Sequence, residues 1–498
     1  MKTRGLFLSA LMMGAIFVGC SSSEDEVLNN APEAKAKTGD NYIAINIVAP
    51  GNTGSRATAG GFEAGTPAEN AVSKALFVFY DASGNFVEAV SAKPEELEPW
   101  TAGGADSSIE KVSTATIVLS NPSSAPKSVV ALLNTNLTET SIGKPSLAQL
   151  KATVGDYSST TSFVMSNSVY QDQDGNEVLA APLTDANIRS SEDLAKQNPV
   201  TVTVERVLAK VGAEVSSNLA VTGKDVELDN QDVKLVPHIT GFKVIATNPS
   251  SYLIKNLDDY SAFTWNWNDP SNFRSYWAKS AAASVTYFPY TAMKPVADYS
   301  EYCQENTGTT KTQLLVSAEI KAEGNNGAAV TILKYKGLYY TTNGLITKVN
   351  EMLADYKYEV SSEEGTGTSN NWAPYLDIVD AGEGKKPWEV KVQLKTNAPQ
   401  VAGVADLVNS LDTAAQWTDG KAYFFVPIEH FGDSPQNVGV VRNHYYNLAI
   451  NSITGLGTPV YNPSETIIPE KMVDEDYYVA AQIQILKWKM VSQEVALN

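Results

Sequence analysis

The sequence predicts an all-β protein built of sandwich domains with a few short helices. Three observations predict it. Apolar residues recur at period two along stretch after stretch. Those stretches are rich in β-branched and aromatic residues. Asn, Gly, Pro and Ser separate them. The chain has 498 residues, 43% of them hydrophobic, enough for more than one core.

The elements follow in chain order. MKTRG supplies a positive n-region, and LFLSALMMGAIFV is an apolar run too short to cross a bilayer comfortably. Phe17-Val18-Gly19-Cys20 resembles a bacterial lipobox, in which small residues precede a cysteine that receives diacylglycerol. SSSEDE after Cys20 resembles the Ser-plus-acidic signal that sends lipoproteins to the outer surface in Bacteroidales. The next stretch, to residue 40, reads as a polar tether. In NYIAINIVA (41–49), Ile43, Ile45 and Ile47 alternate with Ala44 and Asn46, which makes a strand. A glycine-rich loop follows, and Arg56 is the sole basic residue between Lys37 and Lys74. KALFVFY (74–80), STATIVLS (113–120), KSVVALLN (127–134) and the long run VTVTVERVLAKVGAEV (200–215) are further strands. LLVSAEIK, AAVTILKY, YEVSS, WEVKVQL, AYFFVPI and HYYNLAI continue the pattern. Helical spacing occurs at 145–154, 345–356 and 404–417. A domain boundary is expected near residue 213.

The formal charge is −19, and it stays −19 without residues 1–56, which hold five basic and five acidic residues. Such a field repels nucleic acid, and no run of five basic residues offsets it. With Cys20 lipidated, Cys303 is the one thiol left, so no disulfide framework forms within one chain. Cys303 reads as structural. His238, His430 and His444 lie in no HExxH or CxxC context, so no metal site is expected. No GxSxG, GxxxxGK[ST] or GxGxxG element is present, and neither an enzyme nor a cofactor is expected. His430 beside Glu429 reads as a turn histidine rather than a base. QDQDGNE (171–177) starts like a calcium loop but reads as a hairpin turn. WNWNDPSNFRSYW (265–277) holds Trp265, Trp267, Phe273, Tyr276 and Trp277. Exposed, these could stack on sugars; in a sandwich they belong more often to packing.

The C-terminal stretch YYVAAQIQILKWKMVSQEVALN (477–498) places Ile483 and Ile485 on one parity and Leu486, Trp488 and Met490 on the other. Val495 and Leu497 return to the first. The phase slips predict two strands joined by a bulge or kink. The segment before it, 455–476, reads as a Pro/Gly/acid linker. Such a strand pair can fold back on its own sheet or reach a neighbour.

Cys20, the GSRA loop, VTVERVLAK (202–210), FFVPIEHF (424–431), VVRNHYYNLAINSITGLG (440–457) and the final ILKWKMVSQEVAL together resemble the shaft subunits of Bacteroidales type V fimbriae, most of all the major subunit of the short fimbriae. The resemblance implies two transthyretin-like β-sandwich domains, over 57–213 and 214–498. A lipoprotein signal peptide (1–20) and a tether with a cleavable first strand (21–56) would precede them. It implies a precursor held in the outer membrane by acyl chains such as palmitate on Cys20. An arginine-specific surface protease would cut between Arg56 and Ala57 and free the strand that carries Ile43, Ile45 and Ile47. The C-terminal strands (about 477–498) of another copy would fill the gap, with Ile483, Ile485, Leu486, Trp488, Met490, Val495 and Leu497 as candidate donors. Copies would join head to tail into a cell-surface filament with accessory anchor and tip subunits, serving adhesion and biofilm formation. Two alternatives stay open: a monomeric surface lipoprotein that binds glycans, and an anchor or tip subunit of the same system.

Overall fold

The computed structural model describes residues 41–50, 63–102, 109–120, 126–258, 268–269, 273–281, 284–323, 328–362, 365–430, 439–470, 472, 478–486 and 491–494. Cys20, Arg56, Ala57, Trp265, Trp267, Trp488, Met490, Val495 and Leu497 lie outside the described residues. The fold is all-β, with four short α-helices among the described residues.

Eight strands up to residue 206 form the main path of the first sheet. They are β1 (Asn41–Pro50), β2 (Ala75–Tyr80), β3 (Phe86–Ala92), β4 (Thr101–Ala102), β5 (Ile109–Leu119), β6 (Ser128–Leu133), β7 (Met165–Asn167) and β8 (Val200–Arg206). Their order is β3-β2-β6-β7-β8-β1-β5-β4, with Ala181–Pro182 added to β6 and Ile188–Arg189 to β1. The sheet folds over on itself. Ile43, Ile45 and Ile47 of β1, Phe77 and Phe79 of β2, Val129 and Ala131 of β6, and Val200, Val202 and Val204 of β8 share one core.

Most of the strands after residue 207 form a sandwich of two sheets. One runs Ser300–Gln304, β9 (Leu208–Thr222), β10 (Tyr445–Thr454), β11 (Tyr478–Leu486), β12 (Val491–Glu494). The other is centred on Gln231–Ile245, Gln313–Ala322 and Lys421–Pro427. Inward-facing residues of both sheets, such as Val211, Leu448 and Ile450 against Phe242, Val316 and Phe424, fill the space between them. The turn before Gln231–Ile245 places Asp229 and Asn230 at φ +51° and +64°, the left-handed pair that a tight hairpin demands and that Asp and Asn tolerate.

β2 explains how the two parts meet. Its run ALFVFY is buried throughout. Phe77 and Phe79 enter the first core. Leu76, Val78 and Tyr80 point the other way, into a second cluster with Leu253, Ile254, Tyr276, Trp277 and Val441. The run read as one strand over 200–215 is two strands. Val207 between β8 and β9 is fully buried in that second cluster, and the chain changes sheets there. The helical expectations hold at α1 (Leu147–Lys151) and α3 (Thr342–Met352). An unexpected α2 (Glu192–Lys196) is present. The third expectation is cut short. α4 covers Val404–Asn409, and Ala414–Trp417 is instead a strand paired with Ile332–Lys334, a ladder that local spacing cannot reveal.

Candidate functional site

The candidate site is the pair of segments at the two ends of the described chain. β1 forms as a strand because β-branched Ile43, Ile45 and Ile47 alternate with small or polar residues. All three isoleucines are fully buried. Each such burial stabilises by about 1.5–3 kcal/mol. β1 does not cover one edge of its sheet. It is inserted between two. It runs antiparallel to β5 along its whole length, from Asn41↔Leu119 to Pro50↔Ile109. On its other side Tyr42 and Ile43 pair with Arg189 and Ile188, and Ile45–Val48 run parallel to Val200–Thr203 of β8. On the outer face Thr114 Oγ1 donates to Asn46 Oδ1 at 2.6 Å, and α2 lies against the strand. Loss of β1 would leave two facing rows of backbone donors and acceptors and an open apolar floor.

The chain from residue 63 on is held independently of β1. Glu69 is fully buried. It accepts from Thr66 N–H at 2.6 Å, Lys210 Nζ lies 2.9 Å away, and Tyr302 OH also donates to it. Burial would push the Glu69 carboxyl up, but the hydrogen bonds from Tyr302 and Lys210 and the charge of Lys210 hold it below its ordinary value. Arg206 donates from Nε to the Glu69 carbonyl at 2.9 Å and pairs with buried Glu110 at 3.0 Å. Sequence reasoning missed this clamp. Glu205 and Arg206 sit in an ordinary-looking alternation, and nothing local marks a charge as buried.

At the other end, β11 pairs antiparallel with β10, from Tyr445↔Leu486 to Thr454↔Tyr478, with a bulge at Ile450/Ser452. Ile483 and Ile485 stand in register with Leu448 and Tyr446. β12 then returns beside β11, with Ile485↔Val491 and Gln482↔Glu494 in register, as the outermost strand of its sheet. The expected bulge or kink is thus a hairpin. The expected linker over 455–476 is tied down through residue 470. Thr458–Pro459 pairs with Lys421–Pro427, Thr291 N–H donates to the Pro463 carbonyl, and Ile467 N–H donates to the Phe288 carbonyl. Thr458 Oγ1 donates to the Glu470 carbonyl at 2.8 Å, and Lys386 pairs with the Glu470 carboxylate.

The other candidate residues fall into structural places. His430 is fully buried. Its Nε2 lies 2.9 Å from the Tyr276 carbonyl, and its Nδ1 lies 2.8 Å from Tyr446 OH, which itself accepts from Val441 N–H. Burial pushes its pKa down to about 3, which suits a neutral ring wedged in the joint. His444 packs edge-on against it at 4.8 Å and is likewise held well below the usual range, first by burial and then by the neighbouring ring. Burial pushes the Cys303 thiol up to about 12, the state of an inert core cysteine. Asp172 accepts from the N–H groups of Asp174 and Asn176 in a closed turn between Tyr170–Gln171 and Glu177–Val178. Among the described residues no group of three or more His, Cys, Asp or Glu could hold a metal. Tyr276 and Trp277 are core residues, whereas Phe273 is 44% exposed. The aromatic run is therefore not one stacking surface.

Residues 415–494, which hold β10, β11 and β12, match the family model for the C-terminal part of fimbrillin, the major fimbrial subunit protein type IV. No curated protein matches the chain in sequence. Among solved structures, a cell-adhesion candidate from Parabacteroides distasonis is 12% identical, with TM-score 0.36, covering 89% of this chain and 96% of its own. The tip fimbrial protein of Porphyromonas gingivalis, truncated at its C-terminus, is 11% identical, with TM-score 0.29, covering 89% and 99%. The fimbrial anchor protein of the same organism is 10% identical, with TM-score 0.23, covering 90% and 99%. Superpositions this loose carry no weight for fold or function. Over residues 415–494, the stretch that ends in the strand hairpin, the chain is similar to the C-terminal part of fimbrillin.

Proposed function

We propose that this protein is the structural subunit of a fimbrial shaft, assembled by strand replacement. The observation that carries the reading is the placement of β1. It pairs with β5 along its whole length and with Ile188–Arg189 and β8 through Tyr42, Ile43 and Ile45–Val48 on the other side, its isoleucines fill the core, and the chain after residue 62 is clamped at Glu69 without its help. A cut between residues 51 and 62 would sever the covalent tie of β1 to the rest of the chain and leave a strand-shaped slot. The lipidated precursor would be attached through Cys20 and cut between Arg56 and Ala57 by an arginine-specific protease. β11 and β12 of a second copy would then enter the slot, with Ile483, Ile485 and Leu486 and the residues beyond them as donors. The contact joins two different surfaces and does not close, so it propagates as a filament. In the single chain those strands pair with their own sheet.

The test is the N-terminal sequence and intact mass of protein sheared from the cell surface. A start at Ala57 supports the reading. A lipidated start at Cys20 in polymerised material would overturn it and point to an anchor subunit.

A further inference from the structure

We propose that a cavity of about 430 Å³ on the outer face of β8 binds a neutral saccharide unit. The fimbrial reading assigns it no role. β8 turns Val200, Val202 and Val204 into the core, so Thr201 and Thr203 stand on the opposite face, and both line the cavity. The sheet is open beside them. β7 pairs with β8 only along Val204–Arg206, while Ala181–Pro182, the next element on that side, pairs with β6 instead. Ser168 N–H donates to the Thr203 carbonyl at 2.8 Å, which fixes the side to which Thr203 turns its backbone groups. By the alternation of a strand, the Thr201 N–H and carbonyl turn to that same side, where no described strand meets them.

Two aromatic rings complete the cavity. Tyr170 and Phe273 meet edge to face, 5.7 Å between centroids and 77° between planes. Phe273 is exposed and holds φ +53°, a conformation unfavourable for a bulky residue. Core packing does not account for that conformation, because the ring is not in the core. The described lining contains no charged side chain. Hydroxyls, a backbone donor and acceptor, and an aromatic wall are what a pyranose needs: polar partners around its rim and an apolar surface for its C–H face. A net charge of −19 disfavours anionic sugars. β1 pairs with β8 on the side away from Asn167 and Ser168, and none of its own residues lines the cavity. If the fimbrial reading holds, each subunit would present one copy and weak sites would add along the filament.

The experiment uses the full chain with Arg56→Ala, so that it does not depend on assembly. It is screened on an array of neutral oligosaccharides, with sialylated and sulfated glycans as charged probes. The strongest neutral hit is then titrated by saturation-transfer NMR. The expected result is binding of neutral glycans that Phe273→Ala weakens by roughly three- to tenfold. Thr201→Val should weaken it too. Both positions are exposed, so the thermal midpoint should not move. A silent array, a preference for charged glycans, or binding indifferent to both substitutions would overturn the site. None of these outcomes bears on strand replacement.

Discussion

At the scale of single residues, the buried charges at the joint between the sheets stand out. Arg442 and Glu305 are fully buried, with Nε to Oε2 at 2.9 Å, and Arg442 also donates to the Leu253 carbonyl at 3.2 Å. Lys255 pairs with Glu205 nearby at 2.9 Å, both fully buried. Removing one partner of such a pair strands the other without water. Glu305→Ala should therefore cost about 3–5 kcal/mol, read as a shift in the urea midpoint. A loss under about 1 kcal/mol would mean that water reaches the guanidinium. His430 and His444 face Lys255, Arg274 and one another across the same joint, with Tyr276 and Tyr446 as their neutral neighbours. The folded protein holds His430 near 3, whereas an unfolded chain binds its proton near 6.5. Below pH 6.5 the unfolded state takes up protons that the folded state refuses, so stability falls as pH drops from 6.5 toward 3. The lowered carboxylates, such as Glu69, add their own loss only nearer pH 4.5 and below. The urea midpoint should drop between pH 7 and 5, and His430→Gln should flatten that slope. An unchanged slope would assign it to other groups.

At the scale of elements, the two ends were legible to different degrees. The alternation of Ile43, Ile45 and Ile47 marks a strand with one apolar face. It reports the face and says nothing of neighbours, so the position of β1 between β5 and β8 could not be read from it. The phase slips after Leu486 revealed two strands but not their return as a hairpin, which depends on the turn. The stretch 455–470 looked like a linker because Pro, Gly and acids dominate it. It is ordered by Thr458, Ile467 and Glu470 bonding to distant strands, and such partners have no local signature. The clamp at Glu69 escaped for the same reason. Ile45→Ala tests the burial that was legible. It should cost about 2–5 kcal/mol in the uncut precursor, measured by urea denaturation. A cost below about 1 kcal/mol would mean that β1 is only loosely seated. Deleting residues 486–498 tests the other end. It should leave processed monomers, and a normal polymer ladder on an unheated gel would exclude these residues as donors.

At the scale of the whole molecule, strand replacement makes a claim that separates cutting from release. The chain after β1 can be cut while β1 stays in its slot, because its pairing with β5 and β8 and three buried isoleucines still hold it. Assembly then requires β1 to leave, and not merely that it be severed. Asn46 and Thr114 are direct partners across β1 and β5, and their side chains touch on the outer face, away from the core. Asn46→Cys with Thr114→Cys would staple the cut strand to the domain. Cys303 is fully encased and will not compete for the bond. Under oxidising conditions the doubly substituted protein should be cut normally, keep its β1 peptide by mass, and form no filament. Adding reductant should release the peptide and restore polymer in the same sample. Filaments formed while the staple is intact would show that β1 need not be displaced, and the C-terminal hairpin would then have to join copies by some other surface.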